Sequence, residues 1–225
     1  MNTQLDNPFR EEQIAEIYSR HSHKYHAHQR AFEAFRTLIP LDSRVLEIGV
    51  GTGAFTDLLL SVGYDVKGID RSEKMLKRAS ERVRALSEHC DLLDHDSSGK
   101  YDVVVSHSGG FTFKRGKFET YYQDEDNLEK ALQKVHNVLV DEGRFLVDKG
   151  EHESEIDLGD GTIFSVEQED REKSRIYTYT FKQGDREITK QQRRLVFFPE
   201  ELQRMSSPYF NWNFANKLWI IGERI

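Results

Sequence analysis

Between Arg44 and Asp148 the sequence alternates short apolar runs with longer amphipathic stretches, and nothing else in the chain limits its fold as strongly. Arg44–Ile48 is an apolar run that ends in glycines and predicts a buried strand. Phe55–Val62 predicts a helix stopped by Gly63, a residue that takes a left-handed cap without strain. Asp65–Ile69 predicts a second strand, after which Ser72 can cap a helix carrying Met75, Leu76, Ala79, Val83 and Leu86. A short third strand is expected near Cys90–Leu93, and a Val-rich fourth at Tyr101–Ser106. Leu128, Leu132, Val135 and Leu139 mark an amphipathic helix, and Arg144–Asp148 a further strand. Strands alternating with helices form βαβ units, so the expected architecture is a parallel sheet covered on both faces.

The flanks follow other rhythms. Residues 11–39 place Ile14, Ile17, Tyr18 and Tyr25, then Phe32, Phe35 and Leu38, at helical spacing, and Pro40 closes the segment. From Glu151 the stretches Thr162–Gln168, Arg175–Phe181 and Glu187–Phe198 alternate polar with apolar residues around turns at Gly159-Asp-Gly161 and Gln183-Gly-Asp185. That pattern predicts half-exposed antiparallel strands. Pro199 then starts a short helix, and Lys217–Glu223 supplies a last strand. At 225 residues the chain suits one domain.

The chemistry-bearing segment is Glu47-Ile-Gly49-Val-Gly51-Thr-Gly53-Ala54, which follows a strand and opens a helix. Glycines are needed there because side chains would fill the ligand's space or clash in the turn. Asp70 ends the next strand, where a carboxylate can accept both hydroxyls of an adenosine ribose. Gly49, Gly51 and Ala54 also fit the dinucleotide pattern of NAD enzymes. Two details favour S-adenosylmethionine (SAM). Glu47 is an acid suited to the ammonium of a methionine moiety and repellent to a pyrophosphate, and Gly53 gives the spacing G-x-G-x-G.

Val45-Leu-Glu-Ile-Gly-Val-Gly-Thr-Gly53 and Gly68-Ile-Asp-Arg-Ser-Glu-Lys-Met-Leu76 strongly resemble the first two motifs of class I SAM-dependent methyltransferases. Tyr101–Val105 and Gly143–Val147 are similar to that family's fourth and fifth strands. The resemblance implies a doubly wound, seven-stranded, mostly parallel sheet of order 3-2-1-4-5-7-6 with strand seven antiparallel. It divides the chain into a helical lid at 1–40, a cofactor-binding core at 41–150 and 213–225, and an antiparallel substrate-side insertion at 151–212. Carried over by position, Glu47, Gly49, Gly51, Thr52 and Gly53 flank the methionine half, Asp70 meets the ribose, and Arg71 and Met75 the adenine. Asp91 and Leu92 fall at the adenine edge, Ser106 ends the strand facing the methyl group, and Tyr25 packs beside the cofactor.

Acceptor class is read from the segment after strand four, Ser106-His-Ser-Gly-Gly-Phe111. Amino-methyltransferases of DNA and RNA carry Asn/Asp-Pro-Pro-aromatic there, and cytosine C5 enzymes need a Pro-Cys nucleophile; this chain has neither. The Ser-Gly-Gly-Phe turn, the antiparallel strands and Leu195–Leu202 resemble small-molecule N-methyltransferases of the glycine/sarcosine and amino-sugar types. A neutral amine must attack, so a base within reach is useful. His107 is the first candidate by position and His152, just past strand five, the second. Small-molecule O-methylation, a nicotinamide-dependent oxidoreductase and a catalytically idle SAM-binding partner are the alternatives.

Two clusters invite other readings. His21, His23, His26 and His28 lack the i, i+4 spacing of a zinc helix and suit a solvated lid, so no metal is expected. Tyr209–Phe214 suits either a substrate wall or core. A net charge of −7 argues against nucleic acid as a partner. The polar start, the short apolar runs and the single Cys90, which permits no internal disulfide, are those expected of a cytoplasmic monomer or homodimer acting on a small molecule away from membranes.

Overall fold

The computed structural model describes residues 8–22, 26–96, 101–150, 155–214 and 217–225. The chain enters through a short 3-10 turn and two helices, α1 (Glu12–Ser22) and α2 (His26–Leu38). There follow β1 (Arg44–Ile48), α3 (Ala54–Val62), β2 (Asp65–Asp70), α4 (Glu73–Leu76), α5 (Glu81–Ala85) and β3 (Ser87–His89). Next come β4 (Tyr101–Ser106), β5 (Phe111–Lys114), β6 (Lys117–Thr120), α6 (Glu125–Val138) and β7 (Leu139–Asp148). The last part holds β8 (Glu155–Asp157), β9 (Thr162–Asp170), β10 (Ser174–Gln183) and β11 (Arg186–Phe197). It closes with α7 (Pro199–Ser206), β12 (Phe210–Asn213) and β13 (Trp219–Arg224).

The strands sort into two sheets. The larger runs β12-β13-β7-β4-β1-β2-β3 from edge to edge. Its central strands β7, β4, β1, β2 and β3 are parallel, while β13 is antiparallel to both β7 and β12. Its numbering departs from the order read from the sequence because six strands form a second sheet, β5-β6-β11-β10-β9-β8, antiparallel throughout. Apolar side chains leave the large sheet on both faces, as buried parallel strands require. Val45, Val103, Val105 and Leu146 pack with Phe32, Phe35, Phe55 and Leu59 of α2 and α3. Leu46, Val104, Phe145 and Val147 pack with Leu128, Leu132 and Val135 of α6 on the other side. A third cluster joins Ile14 of α1 to Phe164, Tyr177, Tyr179 and Phe181 of the second sheet.

Three expectations are corrected. The antiparallel unit is not confined to 151–212: it recruits Phe111–Thr120 directly after β4, and Phe210–Asn213 leaves it to edge the large sheet. The third strand is Ser87–His89, not 90–93. Asp91 ends it, because its carboxylate accepts from the Leu93 N–H at 2.9 Å and its carbonyl from the N–H groups of Asp94 and His95, which curls the chain into a turn. The single helix expected after Ser72 is two, because Ser80 provides a second N-cap by accepting from the Val83 N–H.

Candidate functional site

The chain passes from β1 through α3 to β2 on one side of β1, while β4 lies on the other. That reversal opens a crevice at the carboxyl ends of the strands, where ligands of such sheets bind. The cleft there is floored by the loops after β1, β2 and β4, and roofed by α1, α2 and the second sheet.

The loop after β1 holds Gly49, Gly51 and Gly53 at φ of +82°, +59° and +82°. Their roles differ. A Cβ on Gly49 would stand 2.6 Å from the Gly109 Cα, so the loops after β1 and β4 touch there. A Cβ on Gly53 would meet the Val83 Cγ1 at 2.7 Å, which fixes the start of α3 against α5. A Cβ on Gly51 would meet only the Met75 Cε, at 3.5 Å, and Gly51 lines the cleft. Its missing side chain therefore leaves room for a ligand instead of for protein.

Asp70 at the end of β2 accepts from the Gly51 N–H at its Oδ2 and from the Ser72 N–H at its Oδ1, both at 2.6 Å. Burial pushes its carboxyl up, and these two bonds and the nearby His89 and Arg71 pull the other way. Glu47 is buried and accepts from the Thr56 hydroxyl at 2.6 Å. Burial pushes its carboxyl up to about 8, with the charge of Asp70 adding to the rise and the Thr56 bond opposing it. Thr52 shares a 2.6 Å hydrogen bond with Ser22 of α1, tying the lid to the glycine loop.

Most of the expected residues converge. Glu47, Gly49, Gly51, Thr52, Asp70, Arg71, Met75, Leu92 and His107 all line this cleft. Three do not. Gly53 lies behind it against Val83. Asp91 turns to an ion pair with Arg71 at 2.8 Å and accepts from the Tyr122 hydroxyl at 3.0 Å. Ser106 is buried and closes the following turn by donating to the Phe111 carbonyl and accepting from its N–H. Tyr25 and His152 lie outside the described residues, as do the side chains of His21, His23 and His26. Tyr209–Phe214 belongs to the edge of the large sheet, with Phe210 in its core.

The sequence placed a roof here but did not single out its residues. Arg194 of β11 is 4% exposed, lines the cleft, and lies between the rings of Tyr121 at 4.1 Å and Tyr177 at 4.4 Å. Its guanidinium donates to the hydroxyls of Tyr121 and Tyr179. Among the described residues its nearest carboxylate, Glu119, stands 3.7 Å away and is already held by Arg175 and by the Tyr177 hydroxyl. His28 of α2 also lines the cleft, with its Nδ1 2.8 Å from the Nε2 of His107.

A glycine loop opening a helix, an acid at the end of the next strand and a cleft at the switch point define a nucleoside-binding α/β domain. Comparison with known proteins narrows it. Residues 45–143 match the family model described as a methyltransferase domain. The glycine/sarcosine N-methyltransferase of Halorhodospira halochloris is 27% identical over 124 residues, 52% of this chain and 43% of that protein. The chain thus spans less than half the length of this curated relative. Among solved structures, an S-adenosylmethionine-dependent methyltransferase from Clostridium acetobutylicum superposes with a TM-score of 0.65 at 17% identity, covering 95% of this chain and 98% of that one. An amino pentose methyltransferase from Micromonospora echinaspora, solved with SAM bound, gives 0.65 at 14% identity, covering 98% and 99%. Residues 45–143 are thus similar to a methyltransferase domain, and the chain shares its fold with SAM-dependent methyltransferases. Its cleft fits that cofactor: Gly51 leaves open space, Asp70 faces it as an acceptor and Glu47 offers a buried acid.

Proposed function

We propose that this protein transfers a methyl group from SAM to the amine nitrogen of a small molecule that also carries an anionic group. The observation behind this reading is a cleft with the carboxyl groups of Glu47 and Asp70 in its floor and the cation of Arg194 in its roof. The domain's relatives support the amine: one is named a glycine/sarcosine N-methyltransferase, and a similar solved structure is named a sugar N-methyltransferase. SAM supplies a methyl group already activated on a sulfonium, so this chain's residues need only position, desolvate and deprotonate. Asp70 holds the ribose, and Glu47 the ammonium of the methionine half. Gly49 and Gly51 let backbone approach the ligand. Tyr18 of α1, with Tyr121 and Tyr179, closes the cleft against water. Arg194 binds the acceptor's anionic end, since Glu119 is shared with Arg175 and leaves part of the guanidinium charge uncompensated. His107 takes the proton that an acceptor ammonium must lose before its lone pair can attack.

The experiment is a panel of amino acids, amino sugars, simple amines and hydroxyl compounds incubated with methyl-labelled SAM. Label on amines bearing a carboxylate or phosphate, lost in Arg194→Met, is the expected result. Label on hydroxyl compounds alone would overturn the amine assignment, and label on uncharged amines at equal rates would remove the role given to Arg194. Among the described residues no helix is long and apolar enough to cross a membrane.

A further inference from the structure

We infer that Asp148 is the positioning residue of this site: it fixes His107 as the Nδ1–H tautomer and so sets the direction of a buried proton chain through His28. The inference rests on the methyl-transfer reading above, in which His107 acts as the base. It begins with strand register. β4 and β7 pair in parallel with Ser106 opposite Val147, which sets His107, just past the end of β4, beside Asp148, the last residue of β7. Both side chains are buried, and the His107 Nδ1 lies 3.5 Å from the Asp148 Oδ2. On the other side of the ring, the His107 Nε2 stands 2.8 Å from the His28 Nδ1.

Charge then places the protons. At 3.5 Å the Asp148 contact is an ion pair longer than a hydrogen bond, and the negative charge favours a proton on the nitrogen facing it, which leaves the His107 Nε2 with its lone pair. That lone pair accepts from the His28 Nδ1, which must therefore carry a proton too. The whole arrangement depends on Asp148 being ionised inside the protein. Burial opposes this, but the contact with His107 and the charge of Lys114 more than offset it and hold the carboxyl below its usual range. Lys114 ends β5 and is 5% exposed. Gly150 lies beside both groups: a Cβ there would fall 3.0 Å from the Asp148 Oδ2 and 3.1 Å from the Lys114 Cε. Lys114 in turn is pushed down to about 7 by burial and by Arg194 and Arg175, with Glu119 and Asp148 acting the other way. Among the described residues, the other rings packed against His107 are Phe55 of α3 at 4.7 Å and Trp219 of β13 at 6.0 Å, neither of them ionisable.

This geometry gives each residue one task. An acceptor ammonium gives its proton to the His28–His107 pair and becomes a neutral amine. The amine's lone pair then forms the nitrogen–carbon bond as the carbon–sulfur bond breaks and its electrons stay on sulfur. Asp148 stabilises the imidazolium made in the first step and never touches the acceptor. The chain also ties catalysis to lid position, because His28 reaches His107 only with α2 over the cleft.

The test reads tautomers directly. Protein labelled with 15N-histidine, with the His107 signals assigned through His107→Gln, is expected to show His107 with its proton on Nδ1 near neutral pH. In Asp148→Asn the amide can donate instead, so that preference should be lost or reversed. Turnover should then fall by about 100-fold or more, a typical loss for a disabled general base, while the dissociation constant for S-adenosylhomocysteine (SAH) changes by less than about threefold, roughly 0.7 kcal/mol. Asp148→Glu, which keeps a carboxylate, should retain the tautomer and recover part of the rate. His107 protonated on Nε2 in the parent protein, or an unchanged tautomer and turnover in Asp148→Asn, would overturn the inference. If the tautomers behave as stated but no acceptor is methylated, the methyl-transfer reading fails and the positioning role of Asp148 stands.

Discussion

Glu47 offers a quantitative check on the cofactor half of the site. Buried and bonded to Thr56, its carboxyl rises from 4.5 to about 8 in the cofactor-free protein. The folded state therefore keeps a proton that the unfolded chain releases between those values. The sign follows: unfolded protein binds fewer protons in that window, so stability falls as pH rises from about 4.5 to about 8. At pH 7 the cost is on the order of 3 kcal/mol, taking about 1.4 kcal/mol for each unit of displacement. Glu47→Gln removes the titration and keeps an acceptor for Thr56, so it should raise the melting temperature at pH 7 and flatten its decline with pH. Binding should show the same group in reverse. An ammonium brought against Glu47 favours its ionised form, so a carboxyl roughly 90% protonated at pH 7 should release close to one proton when SAH binds. The ligand's own amine is already mostly protonated at that pH and takes up little. Calorimetry in phosphate and in Tris, which differ in ionisation heat, measures that release. Glu47→Gln should abolish the buffer dependence and weaken SAH by roughly 10- to 150-fold, the loss of one charged hydrogen bond of about 1.5–3 kcal/mol. Binding heats of the parent protein that do not depend on buffer would refute the placement of Glu47 at the ammonium.

Asp70→Ala should weaken SAH by about 2–4 kcal/mol, roughly 30- to 900-fold, since two ribose hydroxyls lose a charged acceptor; calorimetry on the folded variant measures it. Gly51→Val should abolish SAH binding while circular dichroism stays near the parent's, with some melting temperature lost to its φ of +59°; Gly49→Ala should lower the melting temperature because its Cβ also meets the Gly109 backbone. Lys114→Met should stabilise the protein at neutral pH by roughly 3 °C or more. Burial disfavours the charged amine, so the parent gains stability as pH rises above about 7 while the variant does not.

The central strands of the large sheet and the floor of the cleft were legible because their signals are local. Strands buried on both faces read as apolar runs, and the glycine loop with Asp70 spans a single βαβ unit. The contacts made within the roof were not legible for the opposite reason. Arg194 meets Tyr121 across 73 positions of chain, and alternation along β11 says which residues share a face but not what that face covers. His28 was visible only as one of four histidines, and Asp148 only as the end of a strand; their relation to His107 comes from strand register and helix docking. The third strand was misplaced because the apolar Leu92 and Leu93 outweighed, on paper, the turn that Asp91 builds with its own side chain. Leu92 and His95 of that turn are buried without belonging to any strand.

The most direct test of the cofactor assignment is a pair of titrations on the parent protein, one with SAH and one with NADH, followed by calorimetry and by backbone amide shifts. The account predicts one SAH per chain, with the largest shifts at Gly49–Gly53 and Ser72, and no heat from NADH. Saturable NADH binding that moves the same amides, with SAH inert, would contradict it.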